Sequence, residues 1–344
     1  MKHILSIAGF DPSSGSGITR DLDIYFSLGL HGLSVPTCIV NQGPHGVEGV
    51  YGVPREQLRT MLTSIRKNVR TDGVKVGVAW DESVVDAIAE FIPEHRETPV
   101  VVDPVVGAKN GTKLLSEKGL KSLVKSLFPK ATIVTPNTGE ASAITGKDVK
   151  TQKDMEACAK AIVRMGPQAV VVKGGHLKGP PVDLLYDGAE VTLWKRKRID
   201  REIHGTGCMF SSLLASFLVH GYSIKEAFLA AEGCVDNLLK ESYRLSEDGY
   251  FYTSSGIINS WLAEGWDVIR SLKEAKEGFS RLNLVECIPE VQMNIGYALK
   301  GARGTEDVAA FPGRIGYDQD KVLFKGEPGF GASSHVARLI LWFM

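Results

Sequence analysis

A doubly wound α/β fold follows from three observations on this 344-residue chain. Short apolar runs rich in β-branched residues alternate with amphipathic stretches of helical period, the runs are apolar on both faces, and their C-terminal ends carry polar residues and glycine. Repeated βαβ units of this kind stack into one mostly parallel sheet with helices on both faces.

The strands are expected at residues 4–8, 34–40, 74–78, 100–102, 132–135 and 169–172. Between them, helical periodicity covers 18–28, 55–69, 83–91, 117–127 and 154–165. After Lys173 two short runs, 183–186 and 190–194, flank an Asp187-Gly188 turn and read as a hairpin. Helices over 208–219 and 223–241 close the first domain. Residues 242–256 turn polar, and a further helix is expected from 259 to 275. The expected division is a large domain over 1–245, a linker and helix over 246–282, and a small incomplete α/β segment over 283–344.

Composition narrows the function classes. Forty basic residues balance forty acidic ones, which removes the whole-surface argument for a nucleic-acid or anionic-membrane partner. One basic run remains at Lys195, Arg196, Lys197 and Arg198, readable as a solvated strand end or as a phosphate site. Cys38, Cys158, Cys208, Cys234 and Cys287 lack the paired spacing of a zinc site or disulfide framework, so a reducing cytoplasm is expected. Asp11 comes too early for a signal peptide, and no apolar run approaches the ~18 residues of a membrane span.

Ligands of an open α/β sheet bind beyond the carboxyl ends of its strands. The first strand ends in a glycine- and serine-rich loop before a helix bearing Asp21, whose carboxylate could bond a ring nitrogen or hydroxyl. Gln42 follows the second strand; its carboxamide suits an aminopyrimidine edge, or bonds loop backbone. Asp103, Asn137 and Glu140 follow the fourth and fifth strands, where they could hold Mg²⁺ against nucleotide phosphates or simply cap helices. Lys173 precedes Gly174 and Gly175, a pattern that neutralises a phosphate approaching closely, while His176 reads as a structural loop residue.

The segment His204, Gly205, Thr206, Gly207, Cys208 opens an apolar helix. Its glycines can aim N–H groups at an anion, and a cysteine in the first turn is expected to have a lowered pKa and to accept a proton. A glycine turn capping a core helix with an inert cysteine is the other reading.

In order, residues 6–17 with Asp21, 40–43, 75–78, 102–104, 135–140, 172–176 and 204–211 resemble the ribokinase-like hydroxymethylpyrimidine and phosphomethylpyrimidine kinases of thiamine biosynthesis. The resemblance implies that ATP phosphorylates 4-amino-5-hydroxymethyl-2-methylpyrimidine and then its monophosphate at one site. It places Gly9, Asp21, Val40, Gln42 and Val78 at the pyrimidine, Asp103 and Glu140 at Mg²⁺ and phosphate, and Lys173 at ATP. Gly205, Thr206, Gly207 and Cys208 become the anion hole, with Cys208 where most of the superfamily has an aspartate base. Phe10, Ser14, Thr19, Arg20 and Val78 depart from the usual residues of the family. A pyridoxal or pyridoxine kinase is the neighbouring alternative, with Gln42 the discriminating residue, and a homodimer is a weaker expectation.

Residues 287–294, 307–314 and 329–338 resemble the thiamine-phosphate synthase domain found fused to such kinases. Arg314 and His335 match its functional arginine and histidine, suited to a departing pyrophosphate and to phosphate binding or proton transfer. The family's domain normally runs well past residue 344, so an unstable or inactive synthase half is expected. A non-catalytic sensor of thiamine phosphate is the other reading of this segment; no helix-turn-helix accompanies it.

Overall fold

A computed structural model describes the chain except residues 44–45, 93–97, 109–110, 176, 178, 200–202, 241, 247–248, 253–254, 283, 290–291, 300–301, 303, 320 and 344. The chain divides into two compact units, Met1–Ile257 and Ile258–Met344.

The first unit begins β1 (His3–Phe10), α1 (Gly17–Ser27), β2 (His31–Gly43), β3 (Gly46–Gly52), α2 (Arg55–Asn68), β4 (Gly73–Val76), α3 (Glu82–Phe91) and β5 (Val100–Val102). It continues through α4 (Glu117–Ser122), β6 (Ile133–Val134), α5 (Thr138–Thr145), α6 (Gln152–Val163), β7 (Ala169–Lys173), β8 (Val182–Tyr186) and β9 (Val191–Lys195). Then come α7 (Thr206–His220), α8 (Ile224–Lys240), β10 (Tyr243–Ser246) and β11 (Gly249–Phe251). β1 to β9 form one nine-stranded sheet in the order β3-β2-β1-β4-β5-β6-β7-β8-β9. Pairing is parallel from β2 to β7 and antiparallel at both edges.

The valine-rich runs form strands because both faces of the sheet are covered. Leu5, Ile7, Val74, Val76, Val100, Val102, Val134, Val170 and Val172 join one core, together with residues of α2, α3 and α6. Ile4, Val101, Ile133, Ala169 and Val171, of opposite parity, join the other with α1, α7 and α8. Each such side chain taken from water contributes roughly 1.5–3 kcal/mol.

Three elements differ from the expectation. β3 was not anticipated because glycines interrupt its sequence; it pairs antiparallel with β2 at the sheet edge. The stretch over 117–127 is α4 followed by a π-helical turn, Leu123–Leu127. The polar stretch after residue 242 is no plain linker: β10 and β11 form a hairpin, and Phe251 and Tyr252 are buried, since three consecutive aromatics find the core despite their polar neighbours.

The next helix is α9 (Ser255–Arg281), longer than the pattern indicated. The second unit contains β12 (Gly296–Ala298), β13 (Val308–Ala310), β14 (Gly316–Asp318), β15 (Lys321–Leu323), β16 (Gly329–Phe330) and α10 (Ser334–Phe343). Its core is small: Val268, Leu272, Ile288, Ala309, Phe311 and Ile315. No helix among the described residues is long and apolar enough to cross a membrane.

Candidate active site

A cavity of about 440 Å³ opens at the carboxyl ends of the parallel strands. Gly9, Val40, Gln42, Val78, Asp103, Asn137, Glu140 and Lys173 line it, as do Gly205, Thr206, Gly207 and Cys208 at the start of α7. Residues as far apart in sequence as Gly9 and Cys208 thus line one cavity, because the parallel strands all end on this side.

One half of the cavity is charged. Lys173 Nζ lies 3.0 Å from Asp103 Oδ1, which also accepts the Thr135 hydroxyl at 3.0 Å, while Ser211 Oγ donates to Asp103 Oδ2 at 3.3 Å. Burial pushes the Asp103 carboxyl up, but Lys173 and then Lys75 hold it below its ordinary value. Glu140 caps α5: its carboxylate accepts the Asn137 N–H at 2.7 Å, and its own N–H donates to Asn137 Oδ1 at 2.9 Å. Burial is the main reason its pKa rises to about 7, with Lys173 opposing and Asp103 adding to it. A Cβ on Gly207 would lie 3.2 Å from Lys173 Nζ and 3.9 Å from Asp103 Oδ2, so this glycine keeps the space between helix and ions open. Gly205, with φ +75°, could bear no side chain, for a Cβ there would sit 1.8 Å from the Gly15 carbonyl oxygen. The first turn of α7, with its dipole and its N–H groups, therefore lies beside Lys173, and together they offer positive charge to a phosphate in the cavity. Among the described residues no cluster of three His, Cys, Asp or Glu could cage a metal. Two carboxylates already hydrogen-bonded fit Mg²⁺ held largely through water and phosphate oxygens.

The other half is apolar with a polar rim. Val40, Val47, Leu114, Val78, Val105 and Ala108 form its wall, with Cys38 packed behind them. Gln42 reaches His204 by hydrogen bond and Asp11 Oδ2 at 3.4 Å. Asp11 organises the loop after β1, accepting the N–H and hydroxyl of both Ser13 and Ser16 at 2.7–2.9 Å. Burial raises the Asp11 pKa, yet hydrogen bonds from His204, Ser13 and Ser16 bring it below its usual value. Phe251 meets His204 edge-on at 5.6 Å between ring centroids, and with Tyr250 lines the cavity.

Two expectations need correction. Asp21 is fully buried and lies off the cavity wall. Lys75 Nζ sits 2.9 and 2.8 Å from its two oxygens, Ser6 Oγ donates at 2.5 Å and Ser212 Oγ at 2.6 Å, so a substrate ring finds no free carboxylate there. Cys208 is the second correction, because its thiol pKa is raised and not lowered. Burial dominates; Lys75 pulls it down, Asp103 and Asp21 push it up, and the Gly17 N–H lowers it slightly.

Lys75, Asp11, His204 and Phe251 were not assigned roles from sequence. A signal existed for Lys75, since a lysine amid valines on a strand covered on both faces requires a buried partner. Phe251 gave none. In the second unit Arg314 and His335 are both exposed. A hollow there is lined by Lys273, Lys276, Glu277, Ser280, Arg281 and Glu327, and includes neither. His176 lies outside the described residues.

The doubly wound sheet with its cavity beyond the strand ends is that of the ribokinase-like small-molecule kinases. The pyridoxal kinase of Bacillus subtilis, solved as an ADP complex, superposes with a TM-score of 0.69 at 33% identity, covering 75% of this chain and 98% of that one. The phosphomethylpyrimidine kinase of Clostridium difficile 630 gives 0.63 at 32% identity, covering 70% and 100%. Residues 11–254 match the phosphomethylpyrimidine kinase family, and the chain belongs to it. A hydroxymethylpyrimidine/phosphomethylpyrimidine kinase of Streptomyces coelicolor is 37% identical over 243 residues, 70% of this chain and 90% of that one. Residues 271–344 match the family of thiamine-phosphate synthase ThiN.

Proposed function

We propose that the first unit transfers the γ-phosphoryl group of ATP to the hydroxymethyl group of 4-amino-5-hydroxymethyl-2-methylpyrimidine, and then to the resulting monophosphate. The observation that carries this is the Gly207 gap, which sets Lys173 and Asp103 against the N-terminus of α7 within the family's cavity.

Phosphoryl transfer asks chiefly for positioning and for charge opposite the equatorial oxygens. Lys173 and the N–H groups of the 205–208 turn supply that charge. Asp103, Glu140 and Asn137 would hold Mg²⁺, directly or through water, and the ion would supply charge neutralisation for the nucleotide phosphates. Gln42 presents donor and acceptor to the aminopyrimidine edge, while Gly9, Val40 and Val78 close on the ring. Asp21 acts one layer beneath, as the partner of Lys75. Cys208 accepts the proton of the substrate hydroxyl from its thiolate form, which Lys75 favours. The five free cysteines fit a reducing cytoplasm.

Cys208→Ala tests the base assignment: phosphorylation of the pyrimidine alcohol is expected to drop about a hundredfold, and a near wild-type rate removes the role. The likeness to the Bacillus subtilis pyridoxal kinase motivates a second reading. Specificity constants for the pyrimidine alcohol and for pyridoxal decide between them; we expect the former to be the larger. For the second unit we propose participation in the thiamine-phosphate step, read by supplying thiazole phosphate and following thiamine phosphate by mass.

A further inference from the structure

We propose that Arg196 is a positioning residue for the phosphate half of the cavity, holding the turn that carries Lys173 by way of the Asp183 carboxylate. The inference rests on the kinase reading and starts from the basic run that the reaction leaves unused. Arg196 differs from its exposed neighbours Lys195 and Lys197 by folding inward, its side chain 13% exposed.

Its guanidinium meets three carboxylates: Asp183 at 3.5 Å, Asp236 at 3.3 Å, and Glu232 by a direct hydrogen bond. Asp183 Oδ1 in turn accepts the Gly174 N–H at 2.8 Å. Gly174 directly follows Lys173, which pairs with Asp183 as the last register position of the β7–β8 ladder. A Cβ on Gly174 would lie 2.2 Å from the Val182 carbonyl oxygen. The backbone there is thus fixed by close contact on one side and a charged hydrogen bond on the other. From that point the Lys173 side chain reaches Asp103.

Charge balance favours the arrangement. Three carboxylates around one guanidinium carry two excess negative charges if all ionise. Burial, and then Asp183, push the Glu232 pKa well above its ordinary value despite Arg196, which eases that excess. Asp236 stays tied to the Trp194 indole at 3.1 Å. Arg198 grips the loop farther on, donating to the carbonyls of Gly175, Leu177 and Gly179 at 2.7–3.3 Å.

The test uses the full chain with Arg196→Met, Arg196→Lys and Lys197→Met, and titrates ADP by calorimetry beside steady-state kinetics. Arg196→Met is expected to weaken ADP about tenfold and raise the KM for ATP to match, with the KM for the pyrimidine alcohol within about twofold. Arg196→Lys recovers part of the loss. Lys197→Met removes the same charge from an exposed site and leaves ADP affinity unchanged. The proposal is overturned if Arg196→Met and Arg196→Lys both bind ADP like the wild type, if Lys197→Met weakens ADP equally, if both substrates suffer alike, or if the wild type binds no ADP. A wild type that binds ADP yet turns over no pyrimidine alcohol refutes the reaction assigned above, while the ADP titration still judges Arg196.

Discussion

Replacing Lys75, which lines the cavity, by methionine is the sharpest probe of its buried ion pair with Asp21. Lys75 and Asp21 are both fully buried, and the ammonium lies within 2.9 Å of both carboxylate oxygens. Lys75→Met leaves Asp21 with two hydroxyl donors, from Ser6 and Ser212, and without the ammonium. Removing one partner of a buried ion pair costs about 3–5 kcal/mol, because the other charge stays desolvated. In a domain of this size that lowers Tm by about 10 °C. Removing both charges with Asp21→Asn/Lys75→Met costs less than the lysine change alone, which gives a coupling energy of about 2 kcal/mol or more.

The assay is a double-mutant cycle by urea denaturation, followed by circular dichroism across the transition of the first unit. Its pH dependence has a definite sign. Burial pulls the Lys75 pKa down, but Asp21, then Cys208 and Asp103, carry it above its ordinary 10.5. Stabilisation from a cation with a raised folded pKa is complete below the unfolded value and is lost only as pH climbs through the folded one. The coupling energy should therefore be flat across the neutral range and fall only in strong alkali. A Lys75→Met cost below about 1 kcal/mol, or coupling that disappears near neutrality, refutes the buried ion pair.

Three further outcomes follow from the cavity. Gly207→Ala gains helix propensity, so Tm should hold or rise slightly, while its methyl intrudes 3.2 Å from Lys173 Nζ and turnover falls about a hundredfold; unchanged kcat would remove the phosphate from that gap. In metal-free protein, an unfolded Glu140 ionises near 4.5 and the folded one near 7, so stability falls as pH rises through that interval and levels above it. Melting curves in chelator should show this slope, and Glu140→Gln should abolish it. Gln42→Leu is expected to raise the KM for the pyrimidine alcohol about tenfold and leave that for ATP alone, as steady-state kinetics would register.

The parallel sheet was legible in the sequence because strands covered on both faces must be apolar throughout, and the valine runs announce it. Edge strands carry no such obligation. β3 could be glycine-punctuated, and β10–β11 could keep polar neighbours around Phe251, so neither stood out. The site was legible wherever a residue type meets the cavity at a strand end, as with Gln42, Asp103 and Lys173. It was illegible where the partner lies far along the chain. Asp21 looked available to a ligand because Lys75, 54 residues away, could not be seen to claim it. Arg196 looked solvated because Glu232, 36 residues on, was equally invisible.

Cys208 shows how the two layers combine. Helix position alone argues for a lowered thiol pKa, but burial, with Asp103 and Asp21 adding to it, carries the Cys208 thiol above its ordinary value despite Lys75. The proposed base role therefore runs through the minor thiolate form, and a loose phosphoryl-transfer transition state, with little bonding to the nucleophile, makes modest demands on that base. As the substrate oxygen bonds to phosphorus its proton becomes acidic and passes to the thiolate. Lys75, held by Asp21, is the cation that favours that thiolate. Ser212, one helical turn beyond Cys208, binds that same Asp21, so the helix carrying the sulfur also holds the carboxylate that orients its counter-charge. On the base role proposed for Cys208, losing the buried ion pair should depress turnover even in the double variant that recovers stability.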